Sequence, residues 1–244
     1  MTRRTLGFAS LLLFFLPLSA LVAQDRAAAY LEQAHLLGTA ERLRVDAQLA
    51  ITTSRGTQQR GIEAYLEQRG EGSAIFAQVQ SPAFLRNMKF LVLRQDSQRE
   101  DVWLRTSHGV RRVAAGDGDT AVFNSHFLVR DFSFVQPLDF HLSIVSESDD
   151  AVVIEARDPR DLEDTRLYTI NPGSGLVHGV EYLDAAGGVA RRFTVMEVIS
   201  EGTVVIPRVA RMEDLRSGES TTITISRYEL PATIPSRIFN RGNL

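Results

Sequence analysis

Between Leu43 and Thr52 apolar and polar side chains take turns: Leu43, Val45, Ala47, Leu49 and Ile51 fall on one face, Arg44, Asp46, Gln48 and Thr52 on the other, and Ala50 is the one apolar residue among the second set. A period of two marks a half-buried strand, because successive side chains of an extended chain point to opposite sides. Strand-like runs of the same kind return at 61–70, 73–80, 89–95, 101–107, 141–146, 151–158, 165–170, 176–184, 190–200, 203–213 and 221–230. Gly70-Glu71-Gly72, Asn171-Pro172-Gly173, Asp184 to Gly188 and Ser217-Gly218 supply reversals between them. About a dozen closely spaced strands predict a meandering antiparallel sheet, and a sheet of that width must curl.

The period changes ahead of the first strand. Ala27, Tyr30, Leu31, Ala34 and Leu37 share one stripe of a helix that Asp25 would cap and Gly38 would stop. Still earlier, Arg3 and Arg4 precede an uncharged apolar run from Leu11 to Leu18, followed by the small residues Ser19, Ala20 and Ala23. That order predicts a signal peptide over residues 1–24, cut after Ala23 or Gln24, with residues 25–244 as one exported domain. A retained anchor is the alternative, but the run is shorter than the ~20 residues that span hydrocarbon, and Pro17 interrupts it. The pair Arg3-Arg4 resembles half of a twin-arginine signal, whereas the greasy core favours the ordinary unfolded route.

Residues 113–140 break the meander at its middle. They combine a polar turn with Phe123, Phe127, Phe132, Phe134 and Phe140 in no regular period. A long irregular segment inside a compact domain is characteristically a functional loop or a lid.

Composition narrows the chemistry. With 27 basic and 30 acidic residues the chain is mildly acidic, which gives no reason to invoke nucleic acid. It holds no Cys, so disulfides, thiol nucleophiles, zinc-thiolate sites and a thioether lipid anchor are all excluded. His126 with Asp131, and His141 with Asp139, are conceivable metal pairs, but there is no H-E-x-x-H and no carboxylate cluster beside them. Gly116-Asp117-Gly118-Asp119 lacks the later ligands of a calcium loop, and Gly173-Ser174-Gly175 lies in a turn rather than a nucleophile elbow. No phosphate-binding glycine pattern is present, so no enzyme activity and no cofactor are expected. The 13 Phe outnumber one Trp and five Tyr; such rings either fill the core of a curled sheet or line a cavity inside it.

Two stretches resemble a known family. Over residues 87–134 a strand leads into Trp103-Leu104, then Arg111-Arg112, then Asn124-Ser125-His126-Phe127 and Asp131-Phe132. Over residues 176–230 there follow Tyr182 and Asp184 at a hairpin around Gly187-Gly188, Ile206-Pro207 and the threonines at 221, 222 and 224, and the tail carries Phe239 and Leu244. This order resembles the outer-membrane lipoprotein-sorting family of LolA and LolB. The chain departs from it at Asn124-Ser125-His126, where relatives carry Gly-Ser-Asp, and at Arg86-Asn87-Met88, where a Gly is usual. The resemblance implies an incomplete antiparallel β-barrel with an N-terminal helix and a helical or irregular lid, enclosing an apolar cavity. It further implies a periplasmic carrier of lipid or lipoprotein acyl chains, working between an inner-membrane transporter and an outer-membrane acceptor, with no membrane span once the signal is removed. Phe90, Trp103, Phe123, Phe127, Phe132, Phe134 and Phe140 are the expected cavity or lid residues. The rival is a non-catalytic accessory module of an envelope transporter or assembly machine, binding through sheet edges and loops.

Overall fold

The computed structural model describes residues 18–69, 72–95, 99–114, 117–132, 140–159 and 164–244. Its centre is one 13-stranded sheet. From the middle of the sheet β1 (Arg42–Thr53), β2 (Gly56–Arg69), β3 (Gly72–Ser81), β4 (Lys89–Arg94), β5 (Glu100–Thr106) and β6 (Gly109–Val113) step outward to one edge. The chain then crosses to the opposite edge, where β7 (His141–Glu147) begins the return. Next come β8 (Val152–Arg157), β9 (Thr165–Ile170), β10 (Val177–Leu183), β11 (Val189–Glu201), β12 (Val204–Asp214) and β13 (Glu219–Glu229), and β13 pairs with β1. The pairings are antiparallel throughout, so the predicted meander holds, interrupted once by the 113–140 crossing. Among the described residues β6 and β7 are not paired with each other, and the barrel stays open there.

Two local expectations are corrected. β6 is a strand where the sequence reads only as a basic pair, because four of its five residues are exposed and only Val113 turns inward. Charged side chains such as Arg111 and Arg112 suit an edge strand, where they discourage further pairing. The N-terminal helix α1 spans Leu18–Glu32, so Asp25 lies inside it, and Leu37 and Gly38 lie beyond its end. Tertiary pairing ends the helix: the His35 amide donates to the Gly175 carbonyl at 2.8 Å, and the Val177 amide donates to the His35 carbonyl at 3.1 Å. Gly175 permits this approach, since a Cβ there would stand 2.4 Å from the Gln33 carbonyl oxygen and its φ is +70°. Helix α1 buries Ala27 and Leu31 against the concave side of the sheet, while Arg26 and Tyr30 bind Glu147 of β7 at 2.7 and 2.8 Å.

The alternation of each strand now acquires two destinations. Inward side chains of β1 to β5 join those of the crossing segment in one cluster, and inward side chains of β7 to β12 join α1 in a second; Phe132 and Ile223 touch both. Outward side chains of β2 to β5, namely Tyr65, Phe76, Leu91 and Trp103, form a third cluster under the C-terminal segment, through Ile234, Ile238, Phe239 and Leu244.

Candidate functional site: an apolar cavity beneath a polar-latched strap

On the concave side, inward residues of β1, β2, β3, β12 and β13 surround an open space of about 170 Å³. Its origin is a set of small side chains. Ala47, Ala64, Ala77 and Ala210 all line it, and the register sets Ala64 beside Ala77 and Ala77 beside Phe90. Strand alternation sends those positions inward, but a methyl group fills little of the depth that Leu or Phe would occupy. Leucine, valine and isoleucine supply about half of the remaining wall, and phenylalanines most of the rest of its apolar part.

The described part of the crossing, residues 117–132, forms a strap over this space. It is built from two short 3₁₀ turns, Val122–Asn124 and Val129–Asp131, so its described part is the irregular form of the expected lid. Phe123 and Asn124 take φ values of 54° and 52°, a conformation uncommon for bulky side chains. Phe123 is nevertheless buried in the first cluster and lines the space, so its packing holds the turn. Phe132 stacks edge-on against Phe90 at 5.3 Å and lies 5.8 Å from Phe127, which meets Phe193 edge-on at 6.3 Å. This line of four rings reaches from β4 to β11 across the open side.

Polar bonds fasten the strap. The His126 amide and Nδ1 both meet Thr221 Oγ1, at 3.0 and 2.9 Å, and Nε2 lies 3.5 Å from Glu219. The Ser54 amide, ahead of His126, holds the Glu219 carboxyl below the usual carboxylate range. Five residues later, Asp131 Oδ2 accepts from the Leu128 amide at 2.7 Å and from Arg191 at 2.6 Å, and Arg191 also donates to the His126 carbonyl at 3.0 Å. The Arg191 guanidinium lies 4.7 Å from the centre of the Tyr182 ring. Burial, and then the charge of Asp131, push the Tyr182 phenol well above its ordinary range, so it stays neutral.

Of the residues singled out from sequence, Phe90, Phe123, Phe127 and Phe132 line the space. Phe140 is buried in the second cluster, with the Arg166 guanidinium 5.6 Å from its ring centre. Trp103 is on the convex face beneath Arg241, since Val102 and Leu104 on either side of it point inward. Phe134 lies outside the described residues. The aliphatic and alanine lining of β1 to β3 was not singled out, although the regular alternation around Ala47 is its visible signal. His126 and Asp131, weighed as metal ligands, are instead engaged by Thr221, Glu219 and Arg191. Among the described residues no group of three His, Asp or Glu is placed to hold a metal, and no helix is long and apolar enough to cross a membrane.

Comparison with known proteins places this geometry. No curated protein matches in sequence. A DUF1329 family protein from Desulfovibrio piger superposes with a TM-score of 0.76 at 15% identity, covering 92% of this chain and 98% of its own. A Vibrio parahaemolyticus domain named for outer membrane lipoprotein sorting gives 0.77 at 14% identity, covering 92% and 99%. A LolA superfamily protein from Nitrosomonas europaea gives 0.65 at 18% identity, covering 89% and 99%. At these identities the likeness is one of fold, and the fold is the LolA-like open barrel that the sequence resemblance implied. Residues 72–244 also match the model of a family described as "-like: Uncharacterized protein"; the chain belongs to that family and has a LolA-like fold.

Proposed function

We propose that this chain is a periplasmic carrier, exported with loss of residues 1–24, whose remaining 25–244 domain shelters acyl chains of a lipid or lipoprotein on the way to the outer membrane. One observation carries the reading: a space of about 170 Å³ walled chiefly by alanine, aliphatic and phenylalanine side chains. An apolar cavity of ~150 Å³ stays dry and accepts apolar ligands, because water there would forgo its hydrogen bonds. Each methylene moved from water into such a wall contributes about 0.8 kcal/mol, so one or more chains offset extraction from a bilayer without covalent chemistry. Sites that enclose ligands of drug size measure ~300–1,000 Å³. A whole chain therefore enters only as the strap over residues 117–132 rises from the space. An inner-membrane transporter as donor and an outer-membrane acceptor complete the route in this reading.

The purified protein is expected to take up a fluorescent fatty-acyl probe saturably. Phe132→Glu is expected to abolish uptake while leaving the circular dichroism spectrum intact, because it sets a carboxylate among Phe90, Phe127 and the cavity wall. Uptake that never saturates across several lipid classes sinks the carrier reading. It would then favour the accessory-module alternative, in which edges and loops do the binding.

A further inference from the structure

The sheet that walls the apolar space is split at the end away from the strap. β12 and β13 are neighbours of 11 residues each, yet they pair only from Asp214 with Glu219 to Val209 with Thr224. Past that rung the rest of β12 follows β11 and the rest of β13 follows β1, so the two strands part. Bulges on both sides account for the parting. The β11–β12 ladder passes from Glu197 with Val209 to Val198 with Pro207 and skips Arg208, and the β1–β13 ladder passes from Asp46 with Arg227 to Ala47 with Ile225 and skips Ser226. A bulge bends its strand and re-aims the extra side chain, and Pro207 has no N–H to offer a ladder. Farther out, Thr39 takes the place that β13 leaves: its amide donates to the Val205 carbonyl at 2.9 Å, and its hydroxyl accepts from the Val205 amide at 2.9 Å.

Between Val205 and Val209 a window remains. Pro207 and Arg208 on one side of it and Ile225 on the other line the apolar space, together with Leu36 and Leu37. Arg208 lines that space and still has 56% of its side chain exposed, so it stands at a mouth, within reach of solvent and cavity alike. Its ion pair with Glu197, at 3.5 Å, is equally exposed on the Glu197 side; a pair so solvated is worth little and is readily exchanged. Among the described residues that line the space, Arg208 and Asp131 alone carry charge, and they are of opposite sign. The strap's movement leaves the window in place. Met212 pairs with Thr221 and Asp214 with Arg191, the two residues that fasten the strap, and they lie ~13 and ~20 Å along β12 from Arg208 at the rise of a strand.

Resting on the carrier reading above, we infer that Arg208 is the head-group subsite of the space: an acyl chain lies with its tail beneath the strap and its anionic end, a carboxylate or a phosphate, in the β12–β13 window against the Arg208 guanidinium. The chemistry sets both the class of head group and the direction of the chain. A guanidinium stays charged at any working pH, and its planar fork matches the paired oxygens of a carboxylate or a phosphate. Asp131 turns the same group away from the strap end. The apolar tail belongs at that end, among Phe90, Phe123, Phe127 and Phe132, and the strap's rise makes the room for it. A neutral ester gains the same burial of its chain but no charged partner at the window.

The test is displacement of a fluorescent fatty-acyl methyl ester from the mature protein, at low salt and about pH 8, where both anions are ionised. Three ligands of one chain length compete: methyl dodecanoate, dodecanoate and dodecyl phosphate. The better anion is expected to bind about fivefold more tightly than the ester, the size of effect that a solvated ion pair gives. Which anion that is separates a fatty acid from a phosphate head group. In Arg208→Ala the anion-to-ester ratio is expected to fall to about one, with the ester bound as before. Arg55→Ala removes the same charge from the exposed turn between β1 and β2, and the ratio is expected to persist. Equal affinities for both anions and the ester in the wild-type protein, with saturable probe uptake, overturn the subsite and leave the carrier reading standing. A preference that survives in Arg208→Ala, or that is lost equally in Arg55→Ala, overturns the assignment to Arg208. Failure of the probe itself to bind overturns both.

Discussion

Two stretches without strands cover the two faces of this sheet, and they are held in different ways. The strap of residues 117–132 crosses the concave side and is fastened by polar bonds, His126 to Thr221 and Asp131 to Arg191. The C-terminal segment crosses the convex side of β2 to β5 and is held chiefly by burial: Ile234, Ile238, Phe239 and Leu244 pack on Tyr65, Phe76 and Leu91. Phe90 and Leu91 make the contrast within one strand, for they are 1% and 0% exposed, yet one borders a space and the other a filled seam. The strap also buries Phe123, Phe127 and Val129, but its phenylalanines border an open space rather than a filled seam, and its polar latch can exchange its bonds for water as it opens, whereas the seam offers only burial. The strap is thus the better suited of the two to move.

The largest effect expected from this contrast is on the convex side. Leu91→Ala removes side-chain atoms from a filled seam and should cost about 2–5 kcal/mol of stability. Acyl-probe uptake measured below the unfolding transition should be unchanged. Urea unfolding supplies the first number and probe titration the second; a loss of uptake in the folded variant would mean that the two faces are not independent.

A substitution on the other face should do the reverse. Ala77 lies inward, beside Ala64 and Phe90, on the edge of the hollow. Ala77→Phe fills space rather than displacing packed atoms, so it should cost less than the ~1–3 kcal/mol typical of overpacking a filled core. Uptake should be lost or sharply weakened. If instead the variant is badly destabilised and the survivors still bind the probe, ligand does not occupy this hollow.

That pair of variants also marks what the sequence makes legible. Alternation finds strands whose two faces differ, as in β1, and it misses β6, whose exposed residues carry no contrast. It sorts neighbours to opposite faces, but it does not reveal that the convex face of β2 to β5 is itself covered. For that reason Trp103, conspicuous by composition, sits under Arg241 at 4.4 Å rather than in the cavity. The strap phenylalanines stand out because nothing periodic explains them. The alanines that leave the hollow do not stand out, since a small residue on an inward face reads as ordinary core until the register sets it beside another. Asp131 was visible in sequence as part of an Asp-Phe step, but its pairing with Arg191 joins residues 60 apart in the chain and needs the sheet to be seen.

The smallest effect lies in the strap's latch and appears only in acid. Glu219 accepts from the Ser54 amide at 3.0 Å and faces His126 at 3.5 Å, and these contacts, in that order, hold its carboxyl below the usual carboxylate range. A carboxyl depressed on folding contributes stability that is present above its unfolded pKa, ~4.3 for Glu, and is lost as pH falls through the lower folded value. Asp184 is depressed as well, first by the Gly188 amide, so the wild-type curve alone mixes sources. The difference between wild type and Glu219→Gln separates them. In urea unfolding carried from about pH 6 down to about pH 3, that difference should shrink toward zero as Glu219 takes up its proton. A difference that stays flat across the range would mean that the Glu219 charge does not help to fasten the strap. The matching variant on the convex side, Leu91→Ala, should lack this acid dependence, because an apolar seam has no proton to gain.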